Sequence, residues 1–387
     1  MKFLHNFLEK IRPAETSPMY TLHNAIETFL FVPGHTTHSG AHVRDAIDLK
    51  RTMFTVIIAL LPALVFGIFN AVYQHYRWLS PDLAFWTMDN LMYGAMRIMP
   101  MIAVTYIAGL SIEIYFAYSN KHAVNEGFLV SGMLIPLIMP IDIPLWMVAI
   151  STAFAVLFGK EVFGGTGMNV LNPALTARAF AFFAYPTYMS GDKVWIGDSA
   201  DLAQKVDGFS GATALGQYAT TGTTSYSAWD AFLGFIPGSI GETSAVAILI
   251  GAAYLIYSGV GSWKIMLSGA LGALTMAFIF NSVSGSMDPG PMKEYMSIPP
   301  HFHLVFGSAA FALVFMATDP VSAAHTETGK WIYGFMIGIL GILIRVFNPA
   351  YPEGWMLAIL LMNTLAPLVD YYVVDSNIQK RLKRAKA

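Results

Sequence analysis

MFTVIIALLPALVFGIFNAVY, residues Met53 to Tyr73, carries no charged side chain and almost no polar one. A bilayer core takes roughly 20 predominantly apolar residues in a helix, so this stretch reads as a membrane span. Reading outward from it gives further candidate spans at 99–118, 127–140, 143–162, 170–185, 244–259, 264–282, 303–318, 331–347 and 354–372. The expected fold is an all-α integral membrane protein of about ten helices. Segments 127–140 and 170–185 are short for a full crossing and are expected to be tilted, broken or re-entrant.

Composition agrees. Charged residues make up 12% of the chain and mean hydropathy is +0.54, whereas about a quarter of a soluble domain is charged. The net charge of -2 offers no basic surface for nucleic acid. With no cysteine there is neither a disulfide nor a cysteinyl iron–sulfur cluster, so any electron carrier must be of another kind. The amino terminus, MKFLHNFLEKIRPAE, interleaves charges with its apolar residues and lacks a small-residue cleavage site; no signal peptide is read there.

Lysine and arginine mark the cytoplasmic side of membrane proteins. Lys2, Lys10, Arg12, Arg44, Lys50 and Arg51 precede the first span, and Lys380, Arg381, Lys383, Arg384 and Lys386 follow the last. Both termini are expected in the cytoplasm and the number of crossings is expected to be even. The chain divides into a cytoplasmic segment 1–52, a first half 53–185, an exterior loop 186–243, a second half 244–372 and a basic tail 373–387. The exterior loop contains only Lys193 and Lys205 as basic residues. It is the longest connection between spans, and such loops commonly carry function.

A faint repeat relates the halves. Lys160-Glu161-Val162-Phe163 is soon followed by Asn172-Pro173-Ala174, and Ile344-Arg345-Val346-Phe347 directly by Asn348-Pro349-Ala350. Five spans per half would set the halves in opposite orientation, an architecture that often encloses an ion or substrate site. Carboxylates within spans would serve such a site. Glu113 lies within the second span and Asp370 near the end of the tenth; Glu126, Glu161, Glu242, Asp319 and Glu353 lie at span ends, where capping or interfacial roles are the ordinary explanation. His42, His301 and His303 lack the spacing of a metal site and read as interfacial. Trp78, Trp86, Trp146, Trp263, Trp331 and Trp355 read mostly as an interfacial belt, a minority of aromatics being available to a flavin or quinone. No metal ligand and no catalytic side chain is assigned.

The most specific signal is Asp207-Gly208-Phe209-Ser210-Gly211-Ala212-Thr213 in the exterior loop. Asp-Gly-x-Ser-Gly-Ala-Thr resembles the motif in which a flavin transferase esterifies the final threonine with FMN. The hydroxyl must reach a pyrophosphate inside another enzyme, so small neighbours and an extendable backbone are needed. Gly208, Gly211 and Ala212 meet both needs. A small-residue turn is the plainer alternative for these residues taken alone.

The resemblance extends along the chain through Gly40 to Asp45, Asp48 to Arg51, Asn125 to Phe128, Lys160 to Gly167, Asn172 to Leu175, Ile236 to Glu242, Met316 to Ser322 and Arg345 to Gly354. In this order they are similar to the B-type membrane subunits of sodium-pumping NADH:quinone reductases. The resemblance implies a bacterial inner-membrane translocase subunit with covalent FMN at Thr213 and a non-covalent riboflavin. Electrons would enter near the outer face and pass inward to quinone, coupled to sodium crossing. Partners would be the A, C, D, E and F subunits and, during maturation, the flavin transferase. Asp207, Ser210, Gly211 and Ala212 would present Thr213. Glu113 and Asp370 match positions of acids in the family's spans, and the quinone region would lie around Gly109. Family members often have paired glycines there, whereas this chain has Gly109-Leu110, which bears on the identity of the quinone. Two alternatives are the D subunit of the related ferredoxin:NAD oxidoreductases, which usually lacks the extended segment before the first span, and a solute transporter with no redox role. The bound flavin discriminates the last of these.

Overall fold

The computed structural model describes residues 2–14, 17–31, 37, 39–43, 49–79, 84–120, 127–192, 194–205, 211–348 and 354–386. Among them there are helices and connecting segments and no strand. Two amino-terminal helices, α1 (Lys2–Lys10) and α2 (Pro18–Leu30), precede the membrane helices α3 (Leu49–Tyr76), α4 (Met88–Asn120), α5 (Phe128–Leu137), α6 (Leu145–Gly159) and α7 (Pro173–Ala184). The loop contains α8 (Ala214–Thr221). The second half comprises α9 (Ala245–Tyr257), α10 (Trp263–Ser284), a broken segment over 302–316, α11 (Glu327–Phe347) and α12 (Gly354–Lys386).

Six helical stretches are long and apolar enough to cross a bilayer, and α5, α7 and α9 are shorter apolar helices. Nine of the ten stretches read as spans thus carry a single helix, six of them long enough for a continuous crossing, and the tenth, at 303–318, is broken into short turns. The segment at 303–318 is interrupted at Gly307, whose φ of +74° lies in the left-handed region that favours glycine. It resumes and ends in a π-turn over Ala312–Met316, with the Ala317 amide bonded to the Ala312 carbonyl. Such turns recur at functional sites.

The helices associate as membrane helices do, by letting small residues bring backbones together. A β-carbon on Gly338 of α11 would lie 2.1 Å from the Gly269 carbonyl of α10, so only hydrogen fits along this seam. In the first half α4 packs on α6 and α6 on α7; in the second α10 packs on α11 and α11 on α12, and α3 meets α9 between the halves. The start of α3 shares a cavity with Asp319, and the start of α11 packs beside the far part of α12. We call this the terminal end, and the end carrying residues 186–243 the loop end.

Candidate functional site

At the loop end, Thr213 is the N-cap of α8. Its backbone is extended (φ −67°, ψ 161°) and its Oγ1 accepts from the Gly216 amide at 3.2 Å, the ordinary role of threonine before a helix. Gly211 and Ala212 are buried beneath it. A β-carbon on Gly211 would stand 2.2 Å from the Asp192 carbonyl oxygen, so two strands of the loop touch backbone to backbone there. Asp207 and Ser210 lie outside the described residues.

Thr213 borders a cavity of about 250 Å³ between the loop and both halves of the bundle. Phe182, Met189, Trp195 and Ile236 give it an apolar wall, and Ser239, Glu242 and Thr243 a polar one. The Thr243 hydroxyl is buried and finds no hydrogen-bond partner among the described residues. Tyr295 closes another side, donating to the Leu215 carbonyl at 3.1 Å; burial pushes its phenol up to about 12. An apolar pocket with a few convergent polar groups is the usual form of a small-molecule site. It fits a flavin ring, and the positive end of α8 at Thr213 suits a phosphate.

The loop is fastened to the first half by a cluster that is not apparent from the sequence. Arg97 near the start of α4 donates to Asp142 Oδ1 at 2.7 Å and also pairs with Asp198. Tyr93 donates to Asp198 at 2.8 Å, the Asp198 amide donates to Asp142 Oδ2 at 2.6 Å, and His75 Nδ1 lies 2.7 Å from the Gly197 carbonyl oxygen. Asp198 has a φ of +52°, alone among described non-glycine residues in that region, a conformation that persists where the surroundings enforce it. The Arg97 hydrogen bond holds its carboxyl below the usual carboxylate range, while burial raises that of Asp142.

Glu113 is buried in α4, and its Oε1 accepts from Lys160 Nζ at the end of α6. Its Oε2 has no hydrogen-bond partner among the described residues. Asp370 is engaged differently: it accepts from the amides of His325 (2.7 Å) and Thr326 (3.0 Å) and from Thr326 Oγ1 (2.5 Å), tying α12 to the turn before α11. Gly109 is buried against the Phe128 ring, which a β-carbon would overlap at 1.9 Å, and α2 packs on α4. Gly109 and Glu113 thus lie one turn apart on the same buried face of α4, whereas Asp370 is held in separate surroundings by the turn before α11. Glu126 and Glu353, like Lys193 and Arg44, lie outside the described residues.

Three expectations change. Glu242, read as a span-end acid, is buried and accepts from Arg178 of α7 at 2.8 Å; Arg178 also donates to Ser239 at 3.3 Å. His303, read as interfacial, is 1% exposed and lies beside the fully buried Arg345, which donates to the His303 and Phe306 carbonyls. Trp355, read as part of the interfacial belt, is fully buried against Gly341, whereas Trp86, Trp146 and Trp263 are exposed as a belt requires. The available signal was the basic residue within an apolar stretch, which is costly in lipid and seldom without purpose. Among described residues no group of acids and histidines suited to a metal occurs.

The sequence profile of the NQR2, RnfD, RnfE family matches residues 36–379. The chain belongs to that family. Among its relatives is a protein of Chromohalobacter salexigens, named as the B subunit of a Na(+)-translocating NADH-quinone reductase, which is 45% identical over 99% of this chain and 97% of its own. Proteins of the same name from Stutzerimonas stutzeri and Yersinia pestis are 46% and 43% identical. The first match covers 98% of both chains, and the second 99% of this chain and all of the relative. Family membership therefore takes in both membrane halves and the loop that joins them.

Proposed function

We propose that this chain is the B-type membrane subunit of a sodium-translocating NADH:quinone reductase of the bacterial inner membrane, carrying FMN on Thr213. The observation that carries the reading is the position of Thr213, on the rim of an aromatic-walled cavity and at the amino end of α8. The near full-length similarity to subunits of that name supports it. Bound there as a phosphoester, FMN would supply a centre that accepts and passes on electrons. The residues do the rest. Gly211 lets the loop close on itself, Phe182 and Trp195 offer apolar surface to the ring, and the α8 dipole favours the phosphate by about 0.3–1 kcal/mol. A non-covalent riboflavin, quinone reduction near Gly109, sodium passage past Glu113 and Asp370, and assembly with the A, C, D, E and F subunits complete the proposal. The loop end is the outer face and both termini are cytoplasmic.

The test is a denaturing gel of the purified complex. The band of this subunit should fluoresce as flavin, and its peptide around Thr213 should gain the mass of FMN. Thr213→Ala should abolish both while leaving the subunit assembled. A band that stays fluorescent in that variant would refute the attachment site.

A further inference from the structure

The cavity at the terminal end, about 60 Å³, lies outside the flavin site. One water needs roughly 10–15 Å³, so there is space for a few waters or one partly hydrated cation and none for a flavin ring. Oxygen-bearing side chains line it, among them Ser131, Thr166, Asn169 and Asp319, and Lys160 forms part of its wall. The Thr166 hydroxyl is buried without a hydrogen-bond partner among the described residues. Lys160 holds one oxygen of Glu113, both side chains being 4% exposed, while the other oxygen of Glu113 has no donor among the described residues.

A buried carboxylate must be paired, and removing its partner is strongly destabilising. An ammonium and a sodium ion are alternative partners of equal charge. With both carboxylates ionised, Glu113 and Asp319 outweigh Lys160 by one negative charge, and the neighbouring Glu161 also acts on Glu113, so the surroundings are net acidic and favour a further cation. Resting on the sodium-coupled reading above, we propose that Lys160 is a tethered competitor of the transported cation. Its ammonium occupies Glu113 at rest, sodium takes its place there, and the ammonium withdraws into the terminal-end cavity toward Asp319. Lys160 thereby makes loading of Glu113 an exchange and not an addition.

The test measures sodium dependence of quinone reduction in the assembled complex, with sodium binding by isotope as a second readout. Occupancy by a competitor weakens apparent affinity in proportion to the fraction of sites left open. Lys160→Met should thus lower the half-saturating sodium concentration roughly tenfold, and Lys160→Arg, a cation with more donors, should raise it. A packing role would not move the two variants in opposite directions. If Lys160→Met does not assemble, Lys160→Gln takes its place beside Lys160→Arg, with the same opposite shifts expected. Half-saturation unchanged in the assembled variants, with sodium-dependent wild type, overturns the proposal. Wild-type activity and binding indifferent to sodium would instead overturn the sodium-coupled reading itself.

Discussion

Arg178 and Glu242 form a buried pair whose side chains are 2% and 8% exposed, and Glu242 borders the cavity with Thr213. Removing one member leaves an uncompensated charge, which costs about 3–5 kcal/mol, whereas replacing both with apolar residues of similar volume is often neutral. Arg178→Met should therefore lower the melting temperature of the purified complex sharply, and Arg178→Met with Glu242→Leu should recover most of it. No recovery in the double variant would mean that the pair does more than satisfy itself. Gly211 poses a steric case at the same scale. Because a β-carbon there meets the Asp192 carbonyl, Gly211→Ala should move the loop and reduce flavin fluorescence at Thr213 severalfold in a denaturing gel. Unchanged fluorescence would show that the transferase tolerates the displaced backbone.

Helices were the part of the structure most legible in sequence, because length and hydropathy are local. The stretch at 99–118 is the core of α4, but the helix begins eleven positions sooner, at Met88. Arg97 hid that extension, since its cost is offset by Asp142 and Asp198, which are 45 and 101 positions away. The tail beyond 372 likewise continues α12 as helix to Lys386. The flavin threonine was legible as a motif, but its cavity was not, because its walls come from residues between Phe182 and Ser308 that meet only in the fold. The pairs Lys160–Glu113 and Arg178–Glu242, 47 and 64 positions apart, were hidden for the same reason. At this scale the seam between α10 and α11 gives a firm expectation. Gly338→Leu places several carbons where the Gly269 carbonyl already sits. The variant should fail to yield a monodisperse peak in size-exclusion chromatography.

For the molecule as a whole, the absence of native cysteine makes orientation simple to measure. Ser225 in the loop and Ala385 in the tail are both exposed. In intact cells, Ser225→Cys should react with a membrane-impermeant maleimide and Ala385→Cys only after lysis. Equal labelling of both before lysis would contradict the proposed topology. The clamp at Arg97 adds a dependence on acid. The folded pKa of Asp198 is depressed, so its contribution is complete above the unfolded value of about 3.9 and is lost as pH falls through the lower folded one. Asp142, raised by burial, works in the opposite direction and limits the effect. Hydrogen exchange of residues 194–205, corrected for intrinsic rate, should rise as pH falls below about 4, where the Asp198 contribution is lost.

The glycine seam also bears on mechanics. Helices whose backbones already touch have no slack along their contact, and packed interiors do not deform continuously. Because α11 is joined in turn to α12, these three helices are expected to move together as one beam. A crosslink between α10 and α11 should then leave turnover unchanged, whereas one that joins α3 to α9 across the halves should slow it.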